Sequence, residues 1–170
     1  KGADHVGAAV AEGAHDLARA ALAGLSGVRP IDGGATRQRS VALALEALAA
    51  EEPDVVLIHD AARPDLPGDV VDRLLAALTQ TPAAIPILPV IDSLVSTAGA
   101  PADRESLRRV QTPQAFRFAD ILAAHRAWRG QPDAGDDAQV FRAAGGEISL
   151  VEGDERLKKL TFATDFTATA

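Results

Sequence analysis

The residues best suited to chemistry in this chain are a carboxylate and a guanidinium set just after an apolar run. His59-Asp60-Ala61-Ala62-Arg63-Pro64 follows Val55-Val56-Leu57-Ile58 directly. Asp60 offers hard oxygen ligands of the kind magnesium takes, and the small Ala61 and Ala62 let a nucleotide or metal approach the backbone closely. A structural Asp60 to Arg63 ion pair at a turn is the competing reading. His59 reads as a packing or turn residue rather than a base.

Three further clusters carry polar groups at informative places. Asp32-Gly33-Gly34-Ala35-Thr36-Arg37-Gln38-Arg39-Ser40 joins a double glycine to a helix start, an arrangement that receives anionic or polar ligands as readily as it makes a plain turn. In Gln111-Thr112-Pro113-Gln114 the proline biases Thr112 towards an extended backbone and so fixes the direction of its hydroxyl, which suits either phosphate donation or a turn before the next helix. Asp136-Asp137 opens a helical segment, and N-terminal capping accounts for at least one of the pair. Of seventeen basic residues only Lys1, Lys158 and Lys159 are lysine, so a lysine retained where arginine is the general choice merits attention.

The elements that must hold these groups read as an α/β alternation. Val6, Val10, Leu17, Ala21 and Leu22 recur at helical spacing and predict a helix from Val6 to Leu25, with Gly27 as its stop. Val28 to Ile31 forms a short strand, and Arg37 to Ala50 a helix whose Val41, Leu45 and Leu48 share a face. Val55 to Ile58 lacks polar alternation, the mark of a strand buried on both faces, and is expected at the centre of a sheet. Val70 to Leu78 is helical, Ala83 to Pro89 a strand, Ala119 to Trp128 and Asp136 to Ala144 helices, and Glu147 to Val151 a strand after Gly145-Gly146. Between them, Val90 to Arg109 is an excursion longer than compact domains usually need. The alternation implies right-handed crossovers and a mostly parallel sheet with helices on both faces, in which ligands sit at the carboxyl ends of strands.

Composition bounds the function. With 47% apolar residues over 170, the chain is long enough for one sizeable core, so residues 1–170 are expected to form one domain. The net charge of -7 and pI near 5.0 argue against nucleic acid or an anionic membrane surface as partner. The absence of cysteine removes disulfides, thiolate catalysis and cysteine-ligated zinc. No apolar run approaches a bilayer-spanning length and no signal peptide is legible, so a soluble, cytoplasmic protein is expected. The start at Lys1-Gly2-Ala3-Asp4 and the lack of any Met predict that the sequence is a fragment.

Taken in order, GGATRQRSV, IHDAARP, the Asp92-Ser93 pair, QTPQAF, GDDAQVF and KKLT resemble the motifs of the methylerythritol phosphate cytidylyltransferase family, from about Asp32 to Asp165. The resemblance implies a Rossmann-like sheet of the nucleotide-diphospho-sugar transferase type, with an extended dimerisation arm at 90–109. It implies transfer of CMP from CTP to 2-C-methyl-D-erythritol 4-phosphate in isoprenoid precursor biosynthesis, with magnesium as cofactor and a homodimer as the assembly. Ribitol 5-phosphate as the acceptor, or a non-catalytic remnant, are the alternatives. On matching residues, Asp60 would hold Mg2+, and Gly33, Gly34, Ser40 and Ala61 would line the CTP pocket. Arg63, Ser93 and Thr112 would meet the polyol phosphate, Arg104 would reach into the partner's site, and Lys159 would position the attacking phosphate. This sequence departs from the family at Ala35, Ser93, Gly135 and Leu157. The family's opening strand and its glycine-rich, Arg- and Lys-bearing phosphate loop have no counterpart before Lys1, and the last helix is cut short at Ala170.

Overall fold

A computed structural model describes residues 2–130 and 134–166. In chain order the strands and helices are β1 (Val6–Val10), α1 (His15–Ala21), β2 (Val28–Asp32), α2 (Arg37–Leu48), β3 (Val55–Ile58), α3 (Gly68–Ala77), β4 (Ala83–Pro89), β5 (Leu94–Val95), β6 (Pro101–Ala102), β7 (Arg108–Val110), β8 (Gln114–Arg117), α4 (Phe118–Ala127), α5 (Asp137–Ala143) and β9 (Ser149–Glu152). The chain divides into two compact units, each assembled from two stretches of sequence: Lys1–Val56 with Arg117–Gly146, and Leu57–Phe116 with Glu147–Ala170.

In the first unit β1 and β2 pair in parallel, Val6 against Val28 through Val10 against Asp32. The helix expected from Val6 to Leu25 is therefore a strand followed by a seven-residue helix, α1, which buries none of its residues. The apolar spacing across Val6 to Leu22 is shared between two elements. Gly7 lowers helical preference by about 1 kcal/mol. It also admits the close approach of β2, since a Cβ there would stand 2.6 Å from Ile31 Cδ1. Helix α1 stops at Ala21, earlier than Gly27, and the loop beyond takes left-handed turns at Gly24 and Gly27. Helix α2 is capped by Thr36, whose hydroxyl accepts from the Arg39 N–H, and it buries Leu45. Helix α5 ends as Gly145-Gly146 predicts: Gly145 is left-handed, and the Gly146 N–H reaches back to the Phe141 carbonyl at 3.0 Å.

In the second unit β4 is the pivot. It pairs antiparallel with β8 and β7 and parallel with β9, so its sheet mixes strand directions within the α/β class. Ala83, Ala84 and Ile85 are fully buried there with Val70 and Leu74 of α3, Phe116 of β8 and Leu157. Among the described residues β3 stands at one end of the order β3-β8-β4-β7, not at the expected centre, and its first three residues are only half-buried. A continuous apolar run reports burial on its faces but not a position among strands. The Val90 to Arg109 excursion folds locally, with Leu94 against Ala102 and Val95 against Pro101 in a small antiparallel hairpin closed by a turn at Ser96–Gly99. Residues 91–110 are exposed throughout, Ile91 and Val95 each by about two thirds.

Candidate active site

The loop after β3 is built around Asp60. Its turn closes with the Arg63 N–H on the Asp60 carbonyl at 3.0 Å. The Asp60 carboxylate meets two cations through one oxygen: Lys159 Nζ lies 3.2 Å and Arg63 Nε 3.6 Å from Oδ2. Asp60 and Arg63 are mostly buried, with side chains 14% and 13% exposed, whereas Lys159 is 48% exposed. The ion pair considered for Asp60 and Arg63 thus exists, and Lys159 joins it from a segment far along the chain. Ala61 is exposed at the tip of the turn.

Two hydrogen bonds to main-chain carbonyls register the lysine against this loop. The Leu160 N–H donates to the Ala62 carbonyl at 2.8 Å, and the Arg63 guanidinium donates to the Leu157 carbonyl. The Gln111 side chain clamps the preceding segment, donating to the Asp154 carbonyl at 2.8 Å and accepting from its N–H at 3.0 Å. Gly153 has to be glycine for this clamp, because a Cβ would stand 2.2 Å from Gln111 Oε1. Thr112, 4% exposed, turns its hydroxyl to the same loop: Oγ1 accepts from the Asp60 N–H at 3.0 Å and lies 3.2 Å from His59 Nδ1. Its peptide bond to Pro113 is cis.

A single carboxylate fits the mode in which magnesium keeps several waters and takes its remaining ligands from substrate phosphates rather than from an all-protein cage. Among the described residues no group of three or more His, Asp or Glu side chains gathers to hold a metal.

The arm residues stand apart from this cluster in their bonding. Ser93 is exposed just before β5. Arg104 bonds within the excursion, to the Ile91 carbonyl and, at 3.4 Å, to the Glu105 carboxylate.

In the first unit the glycine turn and α2 form a second set. Gly33 donates to the Val10 carbonyl at 2.7 Å, and a Cβ there would come within 2.9 Å of that oxygen, so the turn needs glycine. Ser40 Oγ accepts from the Gly34 N–H at 3.0 Å and lies 2.9 Å from the Thr36 carbonyl, holding the turn against the first turn of the helix. Arg37, grouped with Arg39 and Ser40 on sequence, faces a protein partner: its guanidinium lies 2.8 Å from Asp137.

Sequence reasoning missed the setting of that aspartate. Asp136 is the cap, accepting from the Gln139 N–H at 2.9 Å, while Asp137 is fully buried between Arg37 and His125, the latter 3.3 Å away. His125 Nδ1 in turn lies 3.2 Å from Gln38 Nε2. The available clue was His125 near the end of an apolar helix face, a position that calls for a partner when buried.

Within an α/β fold, the first unit thus presents a glycine turn at a helix start and the second a cation-flanked carboxylate after a strand. The model of the family 2-C-methyl-D-erythritol 4-phosphate cytidylyltransferase, IspD, matches residues 2–170, and the chain belongs to that family. It is 60% identical over 171 residues to the bifunctional enzyme IspD/IspF of Erythrobacter litoralis, covering 98% of this chain and 44% of that one. The corresponding Novosphingobium aromaticivorans protein is 58% identical over 161 residues, covering 92% and 42%. The chain therefore spans less than half the length of these relatives. Among solved structures, the 2-C-methyl-D-erythritol 4-phosphate cytidylyltransferase of Thermus thermophilus superposes with a TM-score of 0.76 at 40% identity, over 84% of this chain and 71% of that one. The bifunctional IspDF of Campylobacter jejuni gives 0.80 at 28% identity, over 94% and 40%. No helix among the described residues is long and apolar enough to cross a membrane.

Proposed function

We propose that this chain transfers CMP from CTP to 2-C-methyl-D-erythritol 4-phosphate, releasing pyrophosphate and forming 4-diphosphocytidyl-2-C-methyl-D-erythritol. The observation that carries the reading is Asp60 set between Lys159 and Arg63 in a loop after a strand, within a chain of the IspD family. A phosphate oxygen of the acceptor attacks the α-phosphorus of CTP. The bond from that phosphorus to the bridging oxygen breaks, and pyrophosphate leaves with the electron pair. No covalent intermediate on the protein is needed, so the side chains contribute position and charge.

Lys159, half-exposed, presents its ammonium to the acceptor phosphate, and Arg63 adds a second positive charge beside it. Asp60 holds Mg2+, which when bound offsets the negative charge of the triphosphate. Ser93 meets the acceptor, Thr112 supports the Asp60 turn beside it, and Ala61 serves the nucleotide; for Gly33, Gly34 and Ser40 the nucleotide role is the one the family resemblance implies. The 90–109 excursion acts as the arm of a homodimer, its exposed Ile91, Leu94 and Val95 covered by a second copy and Arg104 delivered to the partner's site. CTP and polyol phosphates are multiply charged and do not cross membranes unaided, so the reaction occurs where they are made, which supports a cytoplasmic location.

Pyrophosphate release by the full-length protein tests the reading. Turnover with CTP and 2-C-methyl-D-erythritol 4-phosphate, well above that with ribitol 5-phosphate, supports it. The opposite preference transfers the chain to a different acceptor, and no release with either marks a non-catalytic relative.

A further inference from the structure

We propose that His59 is a positioning residue of this site, holding the Asp60 turn in shape through one tautomer with its proton on Nε2. This rests on the cytidylyltransferase reading for its consequence on rate and on geometry alone for the tautomer.

His59 Nε2 lies 2.9 Å from the Arg63 carbonyl oxygen, which can only accept, so Nε2 donates. Nδ1 lies 3.2 Å from Thr112 Oγ1. That oxygen accepts the Asp60 N–H at 3.0 Å and keeps its own proton, which a neutral ring with its hydrogen on Nε2 takes at Nδ1. The Arg63 carbonyl therefore assigns the proton on Nε2, and the Thr112 hydroxyl fits Nδ1 as the acceptor. A relay results in which every donor has an acceptor: Asp60 N–H to Thr112, Thr112 O–H to His59, His59 Nε2–H to Arg63.

The relay ties the first and last residues of the turn to β8's leading segment. With the Leu160 N–H on the Ala62 carbonyl at 2.8 Å, the loop is fixed from two sides. Asp60 and Arg63 are the turn's two charged residues, and Lys159 is aligned against them. A carboxylate and two cations that act by position lose rate when displaced by a fraction of an ångström. His59 touches no reacting atom in this account; it acts through Thr112 and Arg63.

Nitrogen-15 NMR of the imidazole in the full-length protein tests the tautomer independently of activity. The expected spectrum shows a protonated Nε2 and an unprotonated, hydrogen-bonded Nδ1. In Thr112→Val the Nδ1 resonance moves further downfield as its donor is lost. A proton on Nδ1, or an Nδ1 resonance indifferent to Thr112→Val, overturns the proposal.

Kinetics then separate positioning from bulk stability. His59→Asn keeps an acceptor near the Nδ1 position and His59→Gln a donor near the Nε2 position, so each retains one half of the relay. Both are expected to fall between wild type and His59→Ala, whose kcat drops roughly tenfold to a hundredfold, as for other residues that orient a ligand-binding group. KM for CTP stays within about twofold. Equal kcat in wild type and a folded His59→Ala contradicts the proposal. Failure of wild type itself to turn over, with the tautomer as assigned, would instead count against the cytidylyltransferase reading.

Discussion

Lys159 Nζ lies 3.2 Å from Asp60 Oδ2, an ion pair that joins the KLT segment to the HDAARP loop. The lysine is half-exposed while the carboxylate is mostly buried, so the ammonium sits where it can exchange its protein partner for a ligand phosphate. Removing the half-exposed lysine leaves the carboxylate beside Arg63 and not an unpaired buried charge, so the loss of stability is expected to stay near about 1 kcal/mol. Lys159→Ala is therefore expected to leave the unfolding midpoint nearly unchanged and to lower kcat about a hundredfold or more. Loss of stability with unchanged kcat would return Lys159 to an ordinary surface role.

Asp137 is the residue whose removal should hurt the fold most. It is buried between Arg37 and His125, and breaking such a cluster from one side leaves uncompensated buried charge. Asp137→Ala is expected to destabilise by about 3–5 kcal/mol. The neighbouring cap variant Asp136→Ala costs about 1 kcal/mol. Denaturant unfolding of the two variants side by side checks the difference, and equal losses would show that both aspartates only cap α5.

The contrast between those neighbours shows what the sequence could disclose. Local signals were enough for the Arg37 start of α2, for Gly145-Gly146 after α5 and for β4 over Ala83–Pro89, because glycine turns, helical spacing and apolar runs act over a few residues. They were not enough for β1, where pairing with β2 outweighs a helical spacing, or for the terminal place of β3 in its sheet. At the site, the motifs named Asp60, Arg63, Thr112 and Lys159, and these do share one loop and its supports. The use of Thr112 towards His59, and the burial of Asp137, depend on residues distant in the chain, and nothing in their immediate neighbours encodes either.

Acid should reveal a second support of the lysine segment. Lys158 first, then the Phe162 and Thr161 N–H groups, hold the Asp165 carboxyl well below its ordinary 3.8. A carboxylate depressed in the folded state stabilises above its unfolded pKa and loses that contribution as pH falls through the folded one. Asp165→Asn is thus expected to be less stable than wild type at neutral pH, with the gap closing as pH drops below 3.8. Urea midpoints measured across that range provide the check. A gap independent of pH would mean that the Asp165 charge is not what matters.

The arm supplies a test of assembly. Mixing Arg104→Ala subunits with Asp60→Asn subunits creates hybrid dimers in which one of the two sites receives its own Asp60 and an intact partner arm. Activity is expected to recover in part, towards about a quarter of wild type in a random mixture if each site works alone. A strictly monomeric protein in sedimentation, or no recovery in confirmed hybrids, would remove Arg104 from a shared site.

The central claim is the bond made, and phosphorus-31 NMR of the full-length protein with CTP, Mg2+ and 2-C-methyl-D-erythritol 4-phosphate reads it directly. The account predicts that the three CTP resonances and the acceptor monophosphate give way to pyrophosphate and to a pair of coupled signals from an unsymmetrical diphosphate diester. The conversion should slow about a hundredfold or more in Lys159→Ala. Loss of CTP to CMP or CDP, with the acceptor monophosphate signal intact, would contradict it.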